Sequence, residues 1–523
     1  MSESLHSSLK TAAKGTVFVL AGMIASQALW FVVRLLIVRN LSTEDLGVYS
    51  LVVGIVSIVS FLASMGLWEG SSRYISIFLG QDRKQDAASV HRSSLMIGAI
   101  AGVGTCVIMF LLSGFLSNYI FYKPELSMPL RVISFFIPVF VMAYILAAVL
   151  RGYGEMGPRV YLMDIGHPLL FLGLFGLVLL LGLPFINVIY AYVLSMAAVF
   201  LLIAGYGYQK TGIGPFAFRR DDHVRELLKF SIPVMIIDAM SLIFRWADTL
   251  MLGRYGSAAE VGIYSVSVSL AVFLSLPLLA LDAVYMPIAG DFYAKNLLSD
   301  LSRTYKVLTK WVFALTLPVF FILFFFPEMT ITFLFGERFG DAVLPLRVLS
   351  IGYLIFAFLG ANAMLLLVLG HSGTVMKVFT AGTVLNILLN YILIKHFGLG
   401  MLGAAVSSMA SVSFISIGGS LILYRLSGIH PLAPGYFKPV IGSALIGAVI
   451  YAAAKSLPLY SWMLPVYFLL YVCGYAASLI FTNSLEAEDI FLIKKIMERA
   501  GFAPEAAQRI IGKIYKEDTI ETG

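Results

Sequence analysis

The chain has 523 residues, 60% of them hydrophobic and only 12% charged, where a soluble domain carries roughly 25% charge and about half apolar residues. That excess excludes an ordinary water-soluble domain and predicts an all-α polytopic membrane protein. Cys106 and Cys473 both sit inside apolar runs with no cysteine nearby, which supports neither a disulfide framework nor a cysteine metal site.

A membrane span needs about 20 mostly apolar residues. The first such run, about 15–38, is too long for a cleavable signal peptide and lacks a small-residue cleavage site after it, so it reads as the first span. Further runs follow at about 46–68, 93–117, 130–150, 158–181, 184–206, 229–253, 261–285, 309–327, 343–369, 374–394, 401–424, 437–456 and 461–482, making about 14 transmembrane helices. With the N-terminus inside, cytoplasmic segments would hold 26 of the 36 lysines and arginines and the outer loops 8, leaving Arg34 and Arg245 embedded. This bias predicts cytoplasmic N- and C-termini. The net charge of +7 is then mostly cytoplasmic charge facing anionic headgroups, and implies membrane lipids, not nucleic acid, as its partner.

An internal repeat appears where the first and seventh spans end. Arg39, Ser42, Asp45, Gly47, Tyr49 and Ser50 are matched by Arg254, Ser257, Glu260, Gly262, Tyr264 and Ser265, at a constant offset of 215. Gly152 and Arg159 are echoed by Gly370 and Lys377 at an offset of 218, and Val193-Leu-Ser-Met-Ala197 by Val406-Ser-Ser-Met-Ala410. Six spans repeated in one orientation predict two six-helix lobes, residues 1–206 and 229–427, joined by a cytoplasmic linker, 207–228, that carries Arg219-Arg-Asp-Asp-His223. Helices 13 and 14 occupy 428–483. A cytoplasmic tail, 484–523, has Ile490, Phe491, Ile493, Ile496 and Met497 spaced for one helical face, so it either lies on the inner leaflet or binds a partner.

Ionisable groups inside a span cost on the order of 3 kcal/mol each and are expected to face the bundle interior. In span seven, Asp238, Ser241, Arg245 and Asp248 fall at i, i+3, i+7 and i+10 on one helical stripe. Either Arg245 and Asp248 neutralise one another as a buried pair, or the stripe lines a water-filled cavity and meets the substrate or a coupling ion. Gln27, Trp30 and Arg34 repeat the geometry in span one; Arg34 either snorkels to the outer interface or presents its planar fork to a phosphate or diphosphate. Arg73 and Arg151 close the second and fourth spans, where an inward-opening cavity would be rimmed. Glu69, Arg159, Asp282 and Lys310 read mostly as interface anchors. In span eleven, Thr383, Asn386 and Asn390 suggest interhelical hydrogen bonding, and Asp164 with His167 is either a proton relay or a structural pair. Pro233, Pro277, Pro287 and Pro318 predict kinks or ends of helices. No Gly-x-x-x-x-Gly-Lys-Ser/Thr loop is present, the outer loops are short, and no metal-ligand spacing occurs. These absences disfavour an ATP-driven pump and an enzyme, and no cofactor is expected.

The turn Leu41-Ser-Thr-Glu-Asp-Leu-Gly-Val-Tyr49, Val149-Leu-Arg-Gly152, Phe230-Ser-Ile-Pro233, Asp248-Thr-Leu-Met-Leu-Gly253, Val261-Gly-Ile-Tyr-Ser265 and Pro287-Ile-Ala-Gly290, in this order, resemble the multidrug/oligosaccharidyl-lipid/polysaccharide (MOP) superfamily, specifically its Wzx-type polysaccharide-biosynthesis flippases. The resemblance implies two six-helix lobes in a V around a central cavity, plus two C-terminal helices. It also implies a prokaryotic cytoplasmic membrane and, as substrate, a polyprenyl or dolichyl (di)phosphate-linked oligosaccharide. Similar flippases use a cationic cavity, which Arg34 and Arg245 could supply here. Drug-exporting relatives typically carry an acidic residue in the first span, whereas this span has only Arg34. The leading expectation is therefore a flippase working by alternating access, with Asp238 and Asp248 setting the field or binding Na+ or H+, unless the membrane potential suffices. Its rivals are a cation-coupled multidrug exporter and a scaffold among glycan-assembly enzymes.

Overall fold

The structure, a computed structural model, describes residues 22, 25–214, 223–359, 361–432, 437–455 and 461–481. The tail, most of the Arg219-to-His223 motif and the start of the first span lie outside the described residues. Within them every regular element is a helix. In chain order these are α1 (residues 25–40), α2 (Thr43–Ala63), α3 (Leu67–Gly80), α4 (Lys84–Phe115), α5 (Ser127–Ser134), α6 (Phe136–Gly152), α7 (His167–Leu180), α8 (Ile186–Thr211), α9 (Val224–Tyr255) and α10 (Ala258–Ala271). There follow α11 (Leu276–Ala294), α12 (Leu298–Phe325), α13 (Pro327–Phe335), α14 (Val343–Leu359), α15 (Asn362–Val368), α16 (Ser372–Asn390), α17 (Gly400–Ser427), α18 (Phe437–Lys455) and α19 (Leu464–Phe481). Eleven of the described helical segments are long and apolar enough to cross a membrane, and two shorter apolar helices lie at Val440–Ala454 and Leu464–Leu479. The expected second to fourteenth spans each fall on one of these thirteen.

The prolines act as their positions require. Pro277 occupies the first turn of α11, where its missing N–H costs nothing, while Pro233, Pro287 and Pro318 lie inside α9, α11 and α12. Two compact units form. Of the described residues, one comprises those up to Ser269 together with Leu334–Pro345 and Met376–Ser411; the other comprises Leu270–Phe333, Leu346–Val375 and those from Val412.

In the first unit the repeated turn takes the same local structure twice. Ser42 caps α2 by accepting from the Asp45 N–H at 3.0 Å. Ser257 caps α10 by accepting from the Glu260 N–H at 3.1 Å, and the Glu260 carboxylate returns to the Ser257 N–H at 2.7 Å. The second is a complete capping box. One turn further on, Gly47 and Gly262 bring the two helix starts together. A Cβ on Gly47 would lie 1.7 Å from the Ala258 carbonyl oxygen, and one on Gly262 would lie 2.1 Å from the Thr43 carbonyl oxygen. Thr43 and Ala258 themselves stand at the repeat offset, so the contact is two-fold symmetric in sequence. Along the neighbouring crossing, Gly54 receives the Trp246 ring and Gly253 receives Leu51, small residues that let helix backbones approach closely.

The C-terminal end of α9 is capped from afar. Buried Lys123 donates from Nζ to the carbonyls of Gly253 and Gly256, both at 2.7 Å, satisfying acceptors that a helix C-terminus leaves open. Burial pushes this ammonium below lysine's ordinary value. On a different turn, Glu155 accepts from Lys210 Nζ and from the Tyr206 hydroxyl, each at 2.8 Å, fastening the segment after α6 to the end of α8. Those two donors hold the Glu155 carboxyl below the usual carboxylate range. The latch therefore contributes stability above that range and loses it as pH falls through the depressed folded value. Thermal melts of the purified protein should show an acid-side loss that is smaller in Glu155→Gln than in the native chain; parallel curves would refute the assignment.

The second unit is aromatic. Phe321 stacks on Tyr471 with centroids 4.0 Å apart, Phe326 on Tyr467 at 5.5 Å, and Tyr471 shares a hydrogen bond with Ser443, joining α12, α18 and α19. Asn362 donates to the Ser416 carbonyl and the Ser420 hydroxyl, both at 3.0 Å, tying α15 to α17.

Candidate functional site

Three polar groupings of the first unit bear on function. At the first, Asp248 of α9 is 6% exposed and surrounded by neutral donors. Its Oδ2 accepts from the Tyr264 hydroxyl of α10 at 2.6 Å and from Ser408 of α17. Its Oδ1 accepts from Asn390 Nδ2 at 2.8 Å and Asn386 Nδ2 at 3.1 Å, both of α16. Asn390 Nδ2 also reaches Asn386 Oδ1 at 3.1 Å, while Asn390 Oδ1 is buried with no hydrogen-bond partner. A π-helical turn, Tyr391–His396, follows Asn390 directly, the kind of local irregularity that concentrates at functional sites.

This arrangement corrects one reading of span seven. Arg245 does not pair with Asp248: no ion pair between them forms among the described residues, and Arg245 is exposed. Four hydrogen-bonding neighbours from three other helices already satisfy the carboxylate, so it has no need of the arginine one turn away. Asp238 and Ser241 lie two to three turns earlier in α9 and do not join the cluster. The i, i+3, i+7, i+10 spacing spreads its members over some 80° of helix circumference, enough to send one end of the stripe inward and leave another exposed.

At the second place, half-buried Arg34 of α1 donates from Nε to Ser269 at 3.1 Å and from Nη2 to Ser265, both on α10. No carboxylate of the described residues lies within ion-pair distance of it. Its partners are hydroxyls, so its charge is solvated but not neutralised.

The third place is a cavity of about 410 Å³ lined by Ser26, Gln27, Arg151, Met156, Arg159, Val160 and Asp164. Arg151 is held by Glu69 at 3.1 Å, the Ser72 hydroxyl at 3.0 Å and the Trp68 carbonyl at 3.1 Å. Gln27 and Arg151, remote in sequence, are thus brought together. Arg73 is not part of this group; it is exposed and stacks its guanidinium 4.2 Å from the centroid of Phe230, a cation–π contact. Neither reading of Asp164 with His167 holds, because the two form no pair: His167 Nε2 is buried without a partner, and its ring packs against Trp30 and Tyr192, each at 5.4 Å.

Sequence reasoning had Thr383, Asn386 and Asn390 as interhelical hydrogen bonders; the asparagines are, whereas Thr383 donates to the Phe379 carbonyl of its own helix at 2.9 Å, and Tyr264 and Ser408 were not named as companions. The signal was available. Tyr264 belongs to the repeated turn, and Ser408 to the Val406-Ser-Ser-Met-Ala410 echo.

Among known proteins, the profile described as Polysaccharide biosynthesis protein matches residues 12–292, more than half of the chain, and a second, MatE, matches residues 233–392. An uncharacterized membrane protein of Methanocaldococcus jannaschii is 24% identical, over 93% of this chain and 99% of its own length. The teichuronic acid biosynthesis protein TuaB of Bacillus subtilis is 23% identical over 40% of this chain and 43% of its own. In fold, the chain is similar to a multidrug resistance MATE family transporter of the MOP superfamily solved in an inward-facing conformation, with a TM-score of 0.67 at 19% identity over 78% of this chain and 94% of that one. A multi-pass helical protein with these matches is a transporter and not an enzyme, and it belongs to the polysaccharide-biosynthesis (Wzx-type) family of the MOP superfamily.

Proposed function

We propose that the protein is a flippase that moves a polyprenyl or dolichyl (di)phosphate-linked oligosaccharide from the inner to the outer leaflet of a prokaryotic cytoplasmic membrane. The lobes 1–206 and 229–427 would give alternating access, with both termini cytoplasmic. The observation that carries this reading is Arg34: a half-buried guanidinium held by two hydroxyls, with no carboxylate of the described residues within ion-pair distance, is a site for an anion. Family membership supports the glycan, and enzymes that assemble it are natural partners. Arg245 and Arg73, both exposed, would add positive charge along the route.

Asp248 suits a coupling cation. Its carboxylate, the two asparagine amide oxygens and the Tyr264 and Ser408 hydroxyls are all oxygen donors, the ligands hard cations take. One negative charge among neutral oxygens balances one positive charge, and turning an asparagine amide over exchanges its donor for an acceptor without changing its shape. Na+ and H+ both meet this requirement.

The MatE match over α9 to α16 favours a second reading, a cation-coupled exporter of small amphiphiles. Proteoliposomes separate the two. Native protein should expose a labelled polyprenyl-diphosphate oligosaccharide on the far leaflet, Arg34→Ala and Arg245→Ala should lower that rate at least about tenfold, equivalent to about 1.4 kcal/mol, and all three should melt alike. Movement of cationic dyes down an ion gradient, with no lipid movement, would sink the flippase reading.

A further inference from the structure

The cavity beside Arg151 has a composition that a site for phosphate alone would not need. Two guanidiniums, Arg151 and Arg159, share its wall with Asp164, Gln27 and Ser26. Arg151 already spends its charge on Glu69. Among the described residues Arg159 hydrogen-bonds the Tyr144 hydroxyl at a long 3.5 Å, with its guanidinium 5.4 Å from that ring's centroid, and forms no ion pair with a carboxylate. Asp164 faces the same cavity, close enough to feel the Arg159 charge but without a direct ion pair to it. The segment that carries both residues, Arg159–Gly166, is π-helical, a rare conformation that tends to mark functional sites and that sets residues about one wide turn apart on the same side.

We propose that this cavity is a glycosyl-phosphate subsite. Arg159 would take a phosphate oxygen pair through its planar fork. The Asp164 carboxylate, the Gln27 amide and the Ser26 hydroxyl would hydrogen-bond the hydroxyls of the sugar attached to it. The volume lies within the roughly 300–1,000 Å³ of small-ligand sites, room for a phosphate and its first sugar. Arg151, fastened by α3, positions the wall. Assigning the occupant to the head of a lipid-linked glycan rests on the flippase reading; the pairing of phosphate with sugar hydroxyls rests on the cavity alone.

Equilibrium binding to the purified full-length protein tests it, with glucose 1-phosphate, N-acetylglucosamine 1-phosphate, inorganic phosphate, glucose and a polyprenyl-phosphate glucose as probes. At least one glycosyl phosphate, free or lipid-linked, should bind ten-fold or more tighter than inorganic phosphate or glucose. Arg159→Gln should remove that affinity, whereas Asp164→Asn should keep phosphate binding and abolish the preference for the sugar. These opposite signatures cannot both come from misfolding. If the lipid-linked probe outcompetes the free ones, the carrier is the source; the reverse order points to a soluble sugar phosphate. Equal binding of phosphate and glycosyl phosphates, or binding indifferent to both substitutions, overturns the subsite. Retained binding in a protein that moves no lipid-linked glycan overturns the flippase reading and leaves the subsite standing.

Discussion

Asp248→Ala is expected to lower the stability of the detergent-solubilised protein by at least about 2 kcal/mol, because it orphans several buried neutral donors at once. The substitution strips an acceptor from Tyr264, Asn386, Asn390 and Ser408 at once, and each orphaned buried donor costs about 1–3 kcal/mol before water or rearrangement recovers part of it. Asp248→Asn separates structure from coupling. The amide keeps the shape and one acceptor, so most of the stability should remain, while the negative charge that would hold a cation is lost. Transport by Asp248→Asn should then no longer respond to a Na+ or proton gradient. Denaturation midpoints together with gradient-driven uptake read both quantities. An Asp248→Asn variant with native gradient dependence would falsify the coupling role and leave the cluster a purely structural knot.

The second large effect is expected at Gly47. A valine there places its Cβ where the Ala258 carbonyl oxygen stands, and the obstructing atom belongs to backbone that cannot rotate away. Overpacking of a close-packed site costs about 1–3 kcal/mol, and here α2 and α10 must separate to relieve it, so Gly47→Val should fall at the top of that range or beyond it. Gly262→Val should behave alike because it meets the Thr43 carbonyl in the same way. The two alanine substitutions combined should cost less than their sum, since one separation of the helices relieves both clashes. Gly104→Ala, with nothing within 4 Å, is the matched control and should be neutral or slightly stabilising through helix propensity. Thermal melts of the six variants, the two single alanines included, decide it. Additive alanine effects would show that the helices do not move together.

How far the sequence reached can be judged residue by residue. Apolar runs of about 20 residues announced the helices, because lipid imposes that length on any span. In the sequence the Ser42 and Ser257 turns read as a repeat and not as caps, although capping is local and legible in principle: a hydroxyl and a carboxylate three residues apart need nothing from elsewhere in the chain. Asn386 and Asn390 announced themselves as buried hydrogen bonders, since amides in a span must find partners.

What spacing along one helix could not decide was which neighbour each side chain would meet. The stripe in α9 was equally consistent with an Arg245–Asp248 pair and with a polar site. The choice fell to α10, α16 and α17, whose hydroxyls and amides reach the carboxylate first. Asp164 and His167 looked like partners one turn apart, yet the π-helical geometry of Arg159–Gly166 and the aromatic rings around His167 keep them apart. Gln27 and Arg151, more than a hundred residues apart, share a cavity that no periodicity foretold. Local covalent geometry and the bilayer determined where helices begin, end and turn a polar face. Long-range packing, which chooses among many apolar surfaces of similar energy, alone determined which polar groups share a site.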